Sequence, residues 1–188
     1  MESVLQCLRE YPNSRILICT PSNTAADLVI ERLRPNLKPL EMFRLNAFSR
    51  SISGVLPHIM EYSKTISGFF TLPPLEEVEQ YRVIISTCIS SSLLHSVGVK
   101  RGHFERIFVD EAAQGLEPEL MVPVRTLAGP NTRIILSGDP LQLGPIVRSF
   151  LGREFGLERS LFERLISLPP YNVDEYTGRT FVSPLAAA

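Results

Sequence analysis

Two adjacent carboxylates, Asp110 and Glu111, follow the apolar run Ile107-Phe108-Val109 and precede Ala112-Ala113-Gln114. About one helix later, Ile134-Ile135-Leu136 runs into Ser137-Gly138-Asp139-Pro140-Leu141-Gln142-Leu143-Gly144-Pro145. A short apolar run bounded by polar residues has the pattern of a strand buried on both faces. A carboxylate pair at its end lies at the carboxyl edge of the sheet, where open α/β sheets hold their ligands. There Asp110 suits Mg²⁺ held through water, and Glu111 suits orienting or deprotonating a water aimed at a γ-phosphate. The second run delivers Asp139 and Gln142 to the same edge. Together these residues imply a site that hydrolyses a nucleoside triphosphate. Helix N-capping by the same carboxylates is the competing explanation. It accounts neither for the apolar strand before them nor for Gln114 after them.

The remaining chain supplies elements that can position such a site. Residues 2–10 have helical spacing with Val4, Leu5 and Leu8 on one face, and residues 15–20 form a continuous apolar strand. Pro21-Ser22-Asn23 turns the chain into a helix predicted over 24–33, with Ala25, Leu28, Val29 and Leu33 inward. Residues 42–45 read as a short strand, and 82–87 as a second buried one. A short helix is expected over 88–96, the carboxylate strand over 106–109, a helix over 117–127, a strand over 133–136 and an amphipathic helix over 157–166. Pro118 fits the first turn of its helix, and Pro123 predicts a kink. From 46 to 78 the pattern degrades into scattered Pro and Ser, an irregular or helical insertion over one edge of the sheet. Alternation of strand and helix implies an α/β fold, a parallel sheet with helices on both faces.

Composition sets limits. The 188 residues, 44% hydrophobic, suffice for one sizeable core, and a net charge of −1 advertises no global field for nucleic acid. Of the 19 basic residues only Lys38, Lys64 and Lys100 are lysine, so Arg, the better phosphate ligand, dominates. Cys7, Cys19 and Cys88 are odd in number and far apart, the pattern of reduced core thiols of an intracellular protein. No apolar run of transmembrane length and no signal-peptide pattern occurs, and a soluble, intracellular chain without membrane contact is expected. His58, His95 and His103 show no ligand spacing.

The segments TPSNTAADLVIERL, IISTCISSS, VDEAAQGLEPELMVPV, LSGDPLQLGPIV and SLFERL, in that order, resemble consecutive motifs of superfamily 1 RNA helicases of the nonsense-mediated-decay type. GDPLQLGPIVRS followed by GLERSLFERL is most similar to the Moloney-leukaemia-virus-resistance and plant silencing-defective RNA helicases. The resemblance spans residues 2 to 168 and is weakest over 46–78. It implies a RecA-like motor domain using ATP and Mg²⁺, moving 5′ to 3′ on single-stranded RNA, with RNA-silencing proteins as partners. Carried over by motif, Asp110 is the metal ligand and Glu111 positions the attacking water. Gln142 senses the γ-phosphate, with Asp139 ordering its loop. Pro21, Ser22 and Asn23 match the first nucleic-acid motif, whose free N–H groups and short polar side chains suit backbone contacts. Ser22 or Asn23 can equally cap the helix, and both roles can hold together. Thr87 matches the second nucleic-acid motif, with Ser90 beside it, against the alternative of an ordinary β-branched strand residue. Phe69 and Phe70 suit either base stacking or the core of the insertion.

Two motifs of that family have no counterpart, the P-loop and the arginine-bearing motif that opens the second motor domain. No G-x-x-x-x-G-K-[ST] is present, and none of the three lysines follows a glycine. Residues 1–182 are therefore expected to be a partial, inactive first RecA-like domain lacking the P-loop strand, with 183–188 an unmatched tail. The stretch at 180–182 resembles the approach to a second-domain motif. By the resemblance, the missing strand would lie beside Arg133–Leu136 and leave it on an open edge. A superfamily 1 DNA helicase and a non-catalytic interaction module derived from a helicase are the rival readings.

Overall fold

The computed structural model describes residues 1–169, Tyr171 and Val182. In chain order the elements are α1 (Glu2–Glu10), β1 (Ile16–Thr20), α2 (Asn23–Leu33), β2 (Met42–Arg44), a 3-10 turn (Ile52–Gly54), α3 (Pro57–Met60), β3 (Thr65–Ile66) and β4 (Phe69–Phe70). They continue with α4 (Leu75–Val78), β5 (Val83–Thr87), α5 (Ser92–Ser96), β6 (Arg106–Val109), α6 (Glu117–Leu127), β7 (Arg133–Leu136), α7 (Phe150–Glu154) and α8 (Leu161–Ile166). The α/β class with a RecA-like parallel sheet holds. Five strands pair in the order β2-β5-β1-β6-β7, every pair parallel.

Strand β1 is central because Ile-Leu-Ile-Cys-Thr is apolar on both faces, and all five of its residues are buried. Leu17 and Cys19 face a layer that holds Leu94, Leu120, Leu127 and Leu161 from α5, α6 and α8. Ile16 and Ile18 face the opposite layer, with Val4 and Leu8 of α1 and Ala26, Val29, Ile30 and Leu33 of α2. Each such aliphatic side chain contributes roughly 1.5–3 kcal/mol by leaving water. At the other extreme, among the described residues β7 pairs with β6 alone and borders the sheet, the position the resemblance implies. Arg133 is exposed and Ile134 is 37% exposed there, although Leu136 packs into the α6–α8 layer.

Several elements depart from the sequence reading. On α2, Leu28 points outward, and Ala26 and Ile30 are buried in place of it and Ala25. The apolar stripe is rotated by about one residue. The predicted 157–166 helix begins only at Leu161, since Gly156 adopts φ +82° and Ser160 caps by accepting the Glu163 N–H at 3.1 Å. The predicted 88–96 helix shrinks to Ser92–Ser96, and α7 was not anticipated. Residues 46–78 hold the 3-10 turn, two short helices and the β3–β4 hairpin. Within them Phe70 is buried while Phe69 is exposed. Cys19 and Cys88 are buried and free, whereas Cys7 is only partly buried. A hydrogen bond with Cys19, together with burial, pushes the Cys88 thiol up. Among the described residues no helix is long and apolar enough to cross a membrane. The stretches at 180–181 and 183–188 lie outside the described residues.

Candidate functional site

The register of β6 against β7 builds the site. Val109 lies opposite Leu136, so the next residues along, Asp110 and Ser137, meet just past the strand ends. Ser137 Oγ donates to Asp110 Oδ1 at 2.7 Å. The backbone doubles this link: Ser137 N–H donates to Val109 O at 2.9 Å, and Ala112 N–H donates to Ser137 O at 2.8 Å. Gly138 then passes so close that a Cβ there would sit 2.8 Å from Ala113 N. Any other residue would separate the two loops.

Glu111 adopts φ +57°, a left-handed conformation uncommon for a side-chain-bearing residue and costing on the order of 1–3 kcal/mol. The turn that follows recovers part of it, because Gln114 N–H donates to Glu111 O at 2.9 Å and Gln114 Nε2 to Glu111 Oε2 at 3.0 Å. The kink carries Glu111 off the strand axis and sets its carboxylate beside Gln114. In the partner loop, Asp139 accepts from Leu141 N–H at 2.9 Å and from Gln142 Nε2 at 3.0 Å. The Leu141 N–H, then Gln142, hold the Asp139 carboxyl below its ordinary range.

A cleft of about 910 Å³ opens along this edge, lined by Pro21, Ser22, Gln114, Leu116, Glu119, Leu141, Gln142, Leu143, Gly144 and Ile146. It brings together Pro21 and Ser22 with Gln142 from two distant stretches of chain. Asp110 and Glu111 do not line it, but Glu111 is hydrogen-bonded to Gln114, which does. Thr87 stands on the far side of β1, in register with Thr20. Its Oγ1 donates to Ser90 Oγ at 2.9 Å and accepts the Ser90 N–H at 3.2 Å, which also buries Ser90. Ser22 does cap α2, accepting the Ala25 N–H at 3.1 Å, and it remains exposed. Asn23 turns away from the cleft, its Oδ1 accepting from Arg44 Nη2 at 3.0 Å.

That last contact exposes a cluster the sequence reading missed. Arg44 is 1% exposed and donates to Asp27 Oδ1 at 3.0 Å and to Leu45 O at 2.6 Å. Arg50 shares the same carboxylate, reaching Asp27 Oδ1 at 3.0 Å and Asn46 Oδ1 at 2.6 Å. Burial pulls Arg44 down to about 10 despite Asp27 beside it. Burial pushes Asp27 upward, but Arg50 and Arg44 outweigh it and hold the carboxyl below its usual 3.8. The one available signal was an arginine inside the apolar run Met42-Phe43-Arg44-Leu45, which needs a buried partner. For Ser137 the signal was its place immediately after the strand, at the level of Asp110.

Asp110 fits a divalent cation of one kind. Its Oδ1 is taken by Ser137, its Oδ2 has no hydrogen bond among the described residues, and no group of three or more His, Cys, Asp or Glu gathers there. A single carboxylate suits Mg²⁺, which keeps its waters and borrows phosphate oxygens, and not a closed zinc or calcium cage.

Residues 49–150 match the AAA domain family. Over 177 residues the chain is 42% identical to the human RNA helicase Mov10l1, covering 93% of itself and 14% of that protein. It is 34% identical to the probable RNA helicase armi of Drosophila melanogaster over 193 residues, covering 93% of itself and 16% of the relative. A probable helicase with zinc finger domain from Danio rerio is 38% identical over 166 residues, 83% of this chain and 9% of that one. The chain thus spans under a fifth of the length of each of these relatives. With the strand-end carboxylates, the motif loops and the parallel sheet in place, the chain belongs to the AAA domain family, and over most of its length it is similar to the Mov10-type RNA helicases.

Proposed function

We propose that the chain is a large part of the first motor domain of an ATP-dependent RNA helicase, with 46–78 an insertion in that domain. The observation that carries this reading is the welding of the two strand-end loops. Ser137 bonds Asp110 and Gly138 abuts Ala112–Ala113, so the carboxylate loop and the Gln142 loop form one unit. Pro21 and Ser22 share its cleft. Asp110 is the residue that would hold Mg²⁺, through water. Held there, the ion would supply positive charge to offset the negative charge of the phosphates. Glu111, steered by Gln114, orients the attacking water and takes its proton. Gln142, held by Asp139, reads the γ-phosphate and relays hydrolysis to a second motor domain. Pro21, Ser22 and Thr87 grip the RNA backbone, and Asn23 offers its amide N–H donors while Arg44 fixes its oxygen. RNA in preference to DNA rests on the likeness to the human RNA helicase Mov10l1 and the fly probable RNA helicase armi. Movement in the 5′-to-3′ direction, RNA-silencing partners and a cytoplasmic setting rest on the motif resemblance.

By itself the chain is proposed to turn over no ATP, because its sequence offers no P-loop to cradle the phosphates. The decisive experiment uses the full-length protein carrying this chain. Glu111→Gln should lower RNA-stimulated ATP turnover by about 10²–10⁴-fold while nucleotide affinity stays within a few-fold. Turnover close to that of the parent would remove Glu111 from the chemistry. Titrating unrelated single-stranded RNA oligomers at two salt concentrations should give similar affinities that fall steeply with salt. A roughly hundredfold spread between sequences, or indifference to salt, would contradict backbone reading.

A further inference from the structure

Beyond Thr87 the carboxyl edge of the sheet continues to the end of β2, since the order β2-β5-β1 puts the 45–50 segment next to the ends of β5 and β1. Adjacent strands lie about 4.8 Å apart, so that segment begins about 10 Å from the end of β1. Three observations meet there. The first is charge: Arg44 and Arg50 share the single carboxylate of Asp27, leaving a surplus of one positive charge. Arg44 is sealed inside, whereas the Arg50 side chain keeps 13% of its surface in solvent. The second is rigidity. Asn46 is buried, donates to Ser63 Oγ at 2.9 Å and accepts from Arg50, so both ends of the loop are pinned. The third is Phe48, 51% exposed at the crest of this pinned loop. An exposed aromatic on a rigid loop, over a net-positive cluster, is the arrangement that stacks a base while the cation attends its phosphate. The cluster is joined to the first nucleic-acid motif through Asn23 Oδ1.

We propose that residues 46–50 form a further single-stranded RNA subsite, Phe48 stacking on one base and Arg50 supplying charge to the adjoining phosphate. It deepens the RNA-helicase reading and rests on it, extending the grip of Pro21–Asn23 and Thr87 across the β2 end of the sheet. The test uses the full-length protein, short single-stranded RNA and the same RNA carrying an aminopurine reporter. Phe48→Ala should weaken RNA binding about tenfold and abolish stacking-dependent quenching of the reporter, while ATP affinity is unchanged. Phe48→Trp should restore affinity to within about threefold, because stacking tolerates any large aromatic. Arg50→Gln, which leaves Asp27 paired with Arg44, should reduce the salt slope of binding by about one, and Arg50→Lys should restore it. Phe48→Ala with affinity within about twofold of the parent and unaltered quenching would overturn the subsite. Parent protein that binds no single-stranded RNA would instead overturn the RNA-helicase reading, and the subsite with it.

Discussion

The two halves of the sheet solve the burial problem differently. On the β2–β5–β1 side, helices α1, α2 and α3 close one face, and the carboxyl edge is knitted by Arg44, Asp27, Asn23, Arg50 and Asn46. On the β6–β7 side, the sheet ends, among the described residues, on a strand paired only with β6. Its exit loop carries Leu141, 94% exposed, with Leu143 and Ile146 similarly bare. The first half is complete in itself. The second presents apolar side chains where a protein surface seldom does, and exposed apolar groups favour association. Order on the β2–β5–β1 side therefore comes from a network of buried charged and polar groups, whereas the β6–β7 side keeps its rigidity in one narrow weld, the Ser137–Asp110 contact.

The strongest way to break this contrast is to remove the carboxylate that two arginines share. Asp27→Ala leaves Arg44 buried without its counter-charge, and should cost about 3–5 kcal/mol in denaturant unfolding of the chain. A loss under about 1 kcal/mol would mean that the cluster adds nothing to the compact half. Next come paired truncations. Ile18→Ala, in the fully buried centre, should cost about 2–5 kcal/mol, and Ile134→Ala on the edge strand less than about 1.5. Equal losses would erase the distinction between the halves. A smaller effect follows from protonation. The folded-state pKa of Asp27 is held below its ordinary 3.8, so its contribution is present above that value and disappears as pH falls through the lower folded one. Acid unfolding curves should therefore weaken below about pH 4, and Asp27→Asn should flatten that limb. Smallest of all, Leu143→Ser should leave stability within about 0.5 kcal/mol while reducing self-association in light scattering.

Strands announce themselves in this sequence because the runs at Ile16–Thr20, Val83–Thr87 and Arg106–Val109 carry a strong local signal. Helix α6 was equally plain, its Pro118 falling in the first turn. What stayed hidden was tertiary. Leu28 and Ile30 are both large and apolar, and only the placement of α2 on β1 and β5 decides that Ile30 goes in. A side chain at Arg44 finds its partner 17 residues earlier, a separation no local pattern encodes. Of the candidate site, the strand-end carboxylates and the Gln142 loop were legible as motifs. Their mutual lock through Ser137, and the diversion of Asn23 toward Arg44, needed the register of the sheet and the course of β2.

The close passage of Gly138 over Ala113 has a mechanical consequence. Three hydrogen bonds tie Ser137 to the backbone and carboxylate of the neighbouring turn, and no Cβ stands between the two chains. Such a joint has no backlash. A shift of the Ser137–Gly138 backbone is therefore carried into the Asp110–Ala113 turn by packed backbone, as through a crank and not a cord.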